Sequence, residues 1–498
     1  MTGTARALVG RHPLSAVGAA AQMTYFTGQS QGKGSHRLWP MAAVLVAAQA
    51  AFIVYSRRHD YFFLDDFLGF IVARTSGLTF AYLGHDVFGQ FAPAYRLADY
   101  IYAYGIGLHY TGVRVFDIIT AGTGLVLLLR LAHVWRVRLA FVVPVIAFMP
   151  YSPVFVVTFQ WFSSALHVLP GMVLGTAAML CFGAPAPLGM WRRLGGAVLF
   201  TCGLLFYAKT LFLSVLFLAL RMFVAVEAGS RPIAATWRAL RELAFCIPVA
   251  VVYLTIVVLG GYTSGRPPTG IAPVIDFVRV GFFDGFCANL FGVGPALPCH
   301  RELACSLMLI PVVASSMRNP RTMIIWVGFF LQFVLAMAAI SYGRVTNFGP
   351  EVAALSRYHS DTAVFFLACV LICFGTAASP PRRPPLHARM ARGDMAGLAA
   401  AMVLLTLFIR ASLAVPLLYQ PDDGRVAEYV TNFRRTLSDA GHGKLILDGT
   451  VPDWVMPGWM APLNRMHYFA LLFSPGPRFT DHQYGAIRID ETGRPAAS

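Results

Sequence analysis

Two adjacent carboxylates, Asp65 and Asp66, stand just past the end of the first long apolar run, behind the stretch Tyr61-Phe62-Phe63-Leu64. Charges kept at the edge of a membrane-length run are expensive without a use. Flanking aromatics form a low-dielectric wall that raises a carboxyl pKa toward the range of a general base. Two like charges side by side are better tolerated when a cation bridges them. A divalent ion (Mg, Mn or Ca) on Asp65, Asp66 and His85 is therefore one expectation. Asp86, next to His85 in Tyr82-Leu83-Gly84-His85-Asp86, is a further ligand or substrate contact. The plainer reading is a solvated helix end followed by a polar loop tip.

The cations are suited to an anion. In Phe91-Ala92-Pro93-Ala94-Tyr95-Arg96-Leu97 the proline fits the first turn of a helix, and Arg96 would project from it toward a phosphate, as would Arg74. Lys209 is one of three lysines and lies between two apolar stretches, where it needs an anionic partner such as a lipid phosphate. Ser356-Arg357-Tyr358-His359-Ser360-Asp361 precedes another apolar run. Arg357 and His359 could grip a phosphate there while Tyr358 stacks on a sugar or prenyl unit, with Arg344 as a weaker partner. Gln160-Trp161, with His167 nearby, is a sugar-binding combination. For each of these the competing reading is interfacial anchoring or snorkelling; Arg410 reads as a snorkelling residue.

These groups must be positioned by membrane helices. Of 498 residues 57% are hydrophobic and only 12% charged, and mean hydropathy is +0.63, against about 25% charged in a soluble domain. About eleven spans are expected, near 38–56, 111–130, 139–158, 163–182, 194–208, 210–226, 243–261, 302–317, 322–341, 361–379 and 396–417. The net charge of +16 falls in short arginine clusters between spans, which argues against nucleic acid and for the positive-inside rule. With the N-terminus in the cytoplasm, the clusters Arg130/Arg136/Arg138, Arg192/Arg193, Arg221/Arg231/Arg238/Arg241, Arg318/Arg321 and Arg382/Arg383/Arg389/Arg392 all lie inside. The acidic pair and its loop 57–110 then lie outside, as do 262–301, 342–360 and the tail. This makes a multi-pass plasma-membrane protein. The run 194–226 is read as two short helices turning near Ala208–Thr210, because one span there would put every later arginine cluster on the wrong side.

Three parts follow: a cytoplasmic tail 1–37, a transmembrane domain 38–417, and an extracytoplasmic α/β domain 418–498. In the last, Ala427 to Ala440 reads as an amphipathic helix capped by Gly441. Lys444 to Val451 reads as a strand and turn, and Tyr468 to Phe473 as a buried strand. Residues 1–36 lack the apolar core of a signal peptide. Cys287 and Cys299 share an expected outer loop, where a disulfide is permitted. The sequence contains no Gly-rich phosphate loop, zinc motif or nucleophile elbow.

The arrangement resembles the GT-C superfamily of polytopic glycosyltransferases, which includes protein O-mannosyltransferases, aminoarabinose transferases and actinobacterial arabinofuranosyl- and mannosyltransferases. The matching pieces are Asp65-Asp66 early in the first outer loop, the Phe91 to Leu97 segment, Ala208-Lys209-Thr210 at the outer end of a hairpin, and Arg357-Tyr358 before a late span. The resemblance implies a polyprenyl-phosphate sugar donor, an inverting single displacement, and a hydroxyl acceptor on an envelope glycan, glycolipid or protein. It implies that one Asp is the base, and that Lys209, Arg357 and Arg96 hold the phosphate. The tail looks like the outer C-terminal domains of actinobacterial members. The other readings are a transporter or flippase of lipid-linked glycans, which would want charges deep inside its spans, and a non-catalytic envelope-assembly scaffold.

Overall fold

A computed structural model describes residues 31–58, 60–62, 64–86, 89–137, 142, 152–262, 267–293, 299–376, 424–441, 443–473, 478–482 and 484–496. The chain divides into Met1–Ala47 and Ala48–Ser498. In the first unit the described residues are helical from Gln31. The expected helix 396–417, most of 139–152, the Arg382 to Arg392 cluster, Arg410 and most of the N-terminal tail lie outside the described residues.

Uninterrupted apolar sequence sets the helices of the second unit. Four described helices are long and apolar enough to cross a membrane: Tyr110–Val134, Phe162–Phe182, Ala208–Glu227 and Pro320–Phe348. A fifth results if Pro232–Glu242 and Cys246–Leu259, bent by 69°, form one span. Ala42–Ser56 and Ser360–Gly375 are shorter apolar helices. This is a multi-span architecture, with four or five full-length spans among the described residues. Met190–Phe206 has 17 residues and arginines at positions 192 and 193, and His300–Arg318 opens on His300, Arg301 and Glu302. Small residues let the helices approach: Gly175 rests against Leu213 and Phe365, and Gly328 against Ala219.

Charges inside the bundle are paired. Arg57 donates to Asp117, Tyr110 and Asp60. Arg221 meets Glu242 and also donates to the carbonyls of Phe182 and Ala184. Each is a buried group whose desolvation is offset by several hydrogen bonds.

The segment after Ser56 is largely helical rather than a loop. Asp65–Ser76 and Pro93–Ile101 are helices, and the second runs into a π-helical turn at Tyr102–Ile106. Pro93 stands at the helix start, as its fixed φ and missing N–H favour.

The C-terminal segment folds onto this one. Phe62, Phe67, Phe70, Tyr95 and Phe162 share a buried core with Val426, Tyr429, Phe433, Ile446 and Phe469. Phe67 and Phe469 meet edge to face, with centroids 5.2 Å apart. The helix Arg425–Ala440 supplies one wall and ends at Gly441 with φ 55°. Three short parallel strands, β1 (Leu445–Leu447), β2 (Arg478–Thr480) and β3 (Ala486–Ile487), form a sheet in the order β2-β1-β3, with Ile446 opposite Phe479 and Ile487. The stretch expected as a strand at Tyr468 to Phe473 is instead helical through Ala470, within the turn Met466–Ala470, and then turns. Asp448 holds that turn by accepting from the His467 backbone and ring and from Arg465.

The disulfide permitted between Cys287 and Cys299 is not formed. Cys287 is buried and Cys299 exposed, both as free thiols, and Cys287 lies against Cys305.

Candidate functional site

The site begins with a strained residue. Leu64 has φ 49°, a region an L side chain rarely adopts. Its N–H donates to the Val455 carbonyl at 3.2 Å, and the buried Phe62 and Phe67 anchor the chain on either side. Held so, Leu64 ends the approach and Asp65 opens the helix Asp65–Ser76.

Successive residues on a helix point about 100° apart, so the two carboxylates part company. Asp66 is buried, and its Oδ1 accepts the Ser163 N–H at 2.7 Å, beside the N-terminus of the helix Phe162–Phe182. A carboxylate there satisfies an otherwise orphan donor and complements the helix dipole. Asp65 instead lines a cavity of about 530 Å³. Burial raises its pKa above the ordinary carboxylate value, and Arg357 and Arg344 act against that rise.

The same cavity is lined by the two arginines, with Asn347, Phe348, Trp161 and Tyr358. The Arg357 guanidinium lies 4.0 Å from the centre of the Trp161 ring, and its Nη2 reaches Tyr358 Oη at 3.3 Å. Its Nε is buried without a hydrogen-bond partner. His167 also lines the cavity. Its ring stacks on Tyr95 at 3.8 Å and 8°, and its Nε2 is likewise unpartnered. One carboxylate, two arginines and an aromatic wall thus converge on one space.

Lys209 is used differently from the expectation. It is buried, and its Nζ donates to Asp361 Oδ1 at 2.8 Å, Thr362 Oγ1 at 2.8 Å and the Tyr358 carbonyl at 2.6 Å. An ammonium has three donors, and all are engaged. Lys209 therefore fixes the backbone beneath Arg357-Tyr358, and is not among the described residues that line the cavity. His359 is fully buried, with Nε2 against the Ala353 carbonyl at 2.7 Å. Burial and the nearby Lys209 push its pKa down to about 3, so it stays neutral and suits packing rather than gripping an anion.

His85, Asp86 and Arg96 are also not among the described lining residues. His85 is exposed. Asp86 Oδ1 accepts the Gly89 N–H at 2.7 Å. Arg96 donates to the Asp86 carbonyl at 2.8 Å and faces Asp99 at 3.8 Å. Burial raises the pKa of Asp99 to about 7 against the pull of Arg96. Arg74 donates to the Ala103 carbonyl and lies over Tyr104. These groups shape the loop segment. Asp65, Asp66 and His85 do not form the expected ion site: among the described residues no group of three or more His, Cys, Asp or Glu side chains comes together.

Several lining residues carried no sequence signal: Gln90, Ser163, Ser164, Tyr207 and Trp459. The first four are polar or aromatic groups in a loop or near helix ends, indistinguishable from others. Trp459 sits in the tail, almost 400 residues from Asp65, and only folding puts it at the cavity.

No protein-family model matches this chain, and no curated protein matches it. Among solved structures it is similar to the cryo-EM structure of the arabinofuranosyltransferase AftD from Mycobacteria, at TM-score 0.37 and 15% identity. The alignment covers 89% of this chain and 32% of that one, so this chain spans about a third of that protein's length.

Proposed function

We propose that this chain is a membrane glycosyltransferase that moves a sugar from a polyprenyl-phosphate donor to a hydroxyl acceptor, with Asp65 as the general base. The observation that carries this reading is a partly buried carboxylate that shares one cavity with two arginines acting on its charge. The sequence resemblance to GT-C glycosyltransferases, on the same acidic pair and on Arg357-Tyr358, supports it.

In the proposed step Asp65 takes the proton of the acceptor hydroxyl. The acceptor oxygen forms the new bond to the anomeric carbon from the face opposite the phosphate. The bond from that carbon to the phosphate oxygen breaks, and polyprenyl phosphate leaves with the electron pair. Arg344 and Arg357 stabilise the charge that grows on the departing phosphate as positioned donors. Stacked on Trp161, Arg357 is held in place before the substrate arrives, which lowers the entropy cost of binding. Asp66 and Lys209 act through the backbone, one under the Ser163 turn and one under Tyr358. The side of the membrane follows from the arginine clusters: the cavity faces outward.

Membranes containing the full chain, offered a panel of polyprenyl-phosphate sugars, test the reading. One sugar should be released and transferred, and D65N membranes should lose that activity. Equal release by D65N and unaltered membranes would reject Asp65 as the base; release of no sugar from any donor would reject the donor class.

A further inference from the structure

We propose that Trp459 is the wall on which the acceptor sugar stacks, a role that rests on the transferase reading of the Asp65 cavity. Trp459 lies in the short turn Gly458–Met460. Its neighbours Val455, Met456 and Met460 are buried, whereas Trp459 is 65% exposed and lines the cavity. The turn is closed by Met460 N–H to the Pro457 carbonyl at 2.9 Å and Ala461 N–H to the Gly458 carbonyl at 3.1 Å. A large aromatic is thus presented to an open space on a fixed support.

Its direction of approach assigns its ligand. The Val455 carbonyl, four residues upstream, accepts the Leu64 N–H, so Trp459 arrives with the strand of chain that aims Asp65. The anion-holding groups Arg344 and Arg357 come from other elements, the helix Met323–Phe348 and the turn Ser356–Tyr358. In a displacement the base must touch the acceptor, whereas the cations hold the donor's phosphate. An indole on the base's support therefore meets the acceptor. Indole rings offer a broad apolar face at low conformational cost, with a polar edge left for hydrogen bonding. A pyranose or furanose ring has the matching apolar C–H face and polar rim. The ligand class is a neutral saccharide chain.

The test uses the full chain in phosphatidylethanolamine–phosphatidylglycerol vesicles and the variants W459A, W459F and W237A. Trp237 is also exposed, lies in the helix Pro232–Glu242 and is not among the described residues lining the cavity, and so controls for loss of a surface indole. Binding is read on an array of neutral oligosaccharides. Transfer is read with the best-bound oligosaccharide as acceptor and a panel of polyprenyl-phosphate sugars as donors. W459A should weaken oligosaccharide binding and raise the acceptor KM about tenfold or more, with the donor KM unchanged; W459F and W237A should stay near the parent. Oligosaccharide binding unaffected in W459A would overturn the proposal. So would an array on which the parent chain binds nothing, or an equal rise in donor KM. Binding that depends on Trp459, with no transfer from any donor, would keep the sugar wall and sink the transferase chemistry alone.

Discussion

The sharpest test of the site separates two side chains that adjoin in sequence. Asp65→Asn keeps shape and hydrogen bonding but cannot take a proton. If Asp65 is the base, kcat should fall by about 10²–10⁴, equivalent to roughly 2.7–5.4 kcal/mol of barrier at 1.36 kcal/mol per tenfold. The same change removes a negative charge that faces Arg344 and Arg357. Those arginines then interact with the donor phosphate undiluted, so the donor KM should hold or fall. Asp66→Asn acts elsewhere. The amide still accepts the Ser163 N–H, and only the charge beside the helix N-terminus is lost, worth about 0.3–2 kcal/mol. D66N should therefore lower Tm and leave kcat within a few-fold. Steady-state transfer assays in vesicles, paired with thermal unfolding in detergent, read both quantities. The reasoning fails if D65N keeps more than a tenth of the activity, or if D66N loses as much kcat as D65N at unchanged Tm.

Arg357→Met and Arg344→Met should each raise the donor KM by about tenfold to hundredfold, the loss of one charge-assisted contact. R357K should recover only part of this, because an ammonium does not stack flat on Trp161; full recovery would argue against the stack. The acid limb of the pH–rate profile should lie above the ordinary carboxylate range, since burial raises the Asp65 pKa and activity needs the deprotonated form. Because Arg344 works against that rise, R344M should move the limb to higher pH, and a downward shift would contradict the arrangement. Lys209→Met leaves Asp361 buried and unpaired and should cost about 3–5 kcal/mol of stability. The double variant K209M/D361N should restore much of it, and a Tm unmoved in K209M would show that the pair contributes nothing. Cysteine labelling from outside intact cells should reach position 85 and spare position 235.

Most helix positions were legible because apolar run length reports them with little ambiguity. The helices Tyr110–Val134, Phe162–Phe182 and Met323–Phe348 fall where the runs are. The stretch after Met466 was not. Its short apolar run fits a buried strand or a helical turn equally well, and packing of Phe469 into the shared core decides for the turn. At the site, the acidic pair was visible, but the division of labour within it depends on where Ser163 lies. Lys209 needed an anion, as its isolation suggested. That anion is Asp361, 152 positions away, a distance no local pattern spans. The tail's part was invisible because neither Val455 nor Trp459 carries a pattern that points to residue 64.

The bond between Leu64 and Val455 also sets an order of events. A ribosome making about 5–20 residues per second needs roughly 20–80 s to travel from one to the other. Through that interval the nascent chain has its early helices but no partner for Leu64, and no aromatic plug from Tyr429, Phe433 and Phe469 in the core around Phe67. A positive φ at leucine is unfavourable by about 1–3 kcal/mol on its own, so Asp65 should remain unaimed until the tail docks. The cavity is then born last, after insertion into the bilayer is complete. A chain stopped before residue 455 should be inert, because it lacks the Val455 carbonyl, the Phe469 ring of the shared core and Trp459 together.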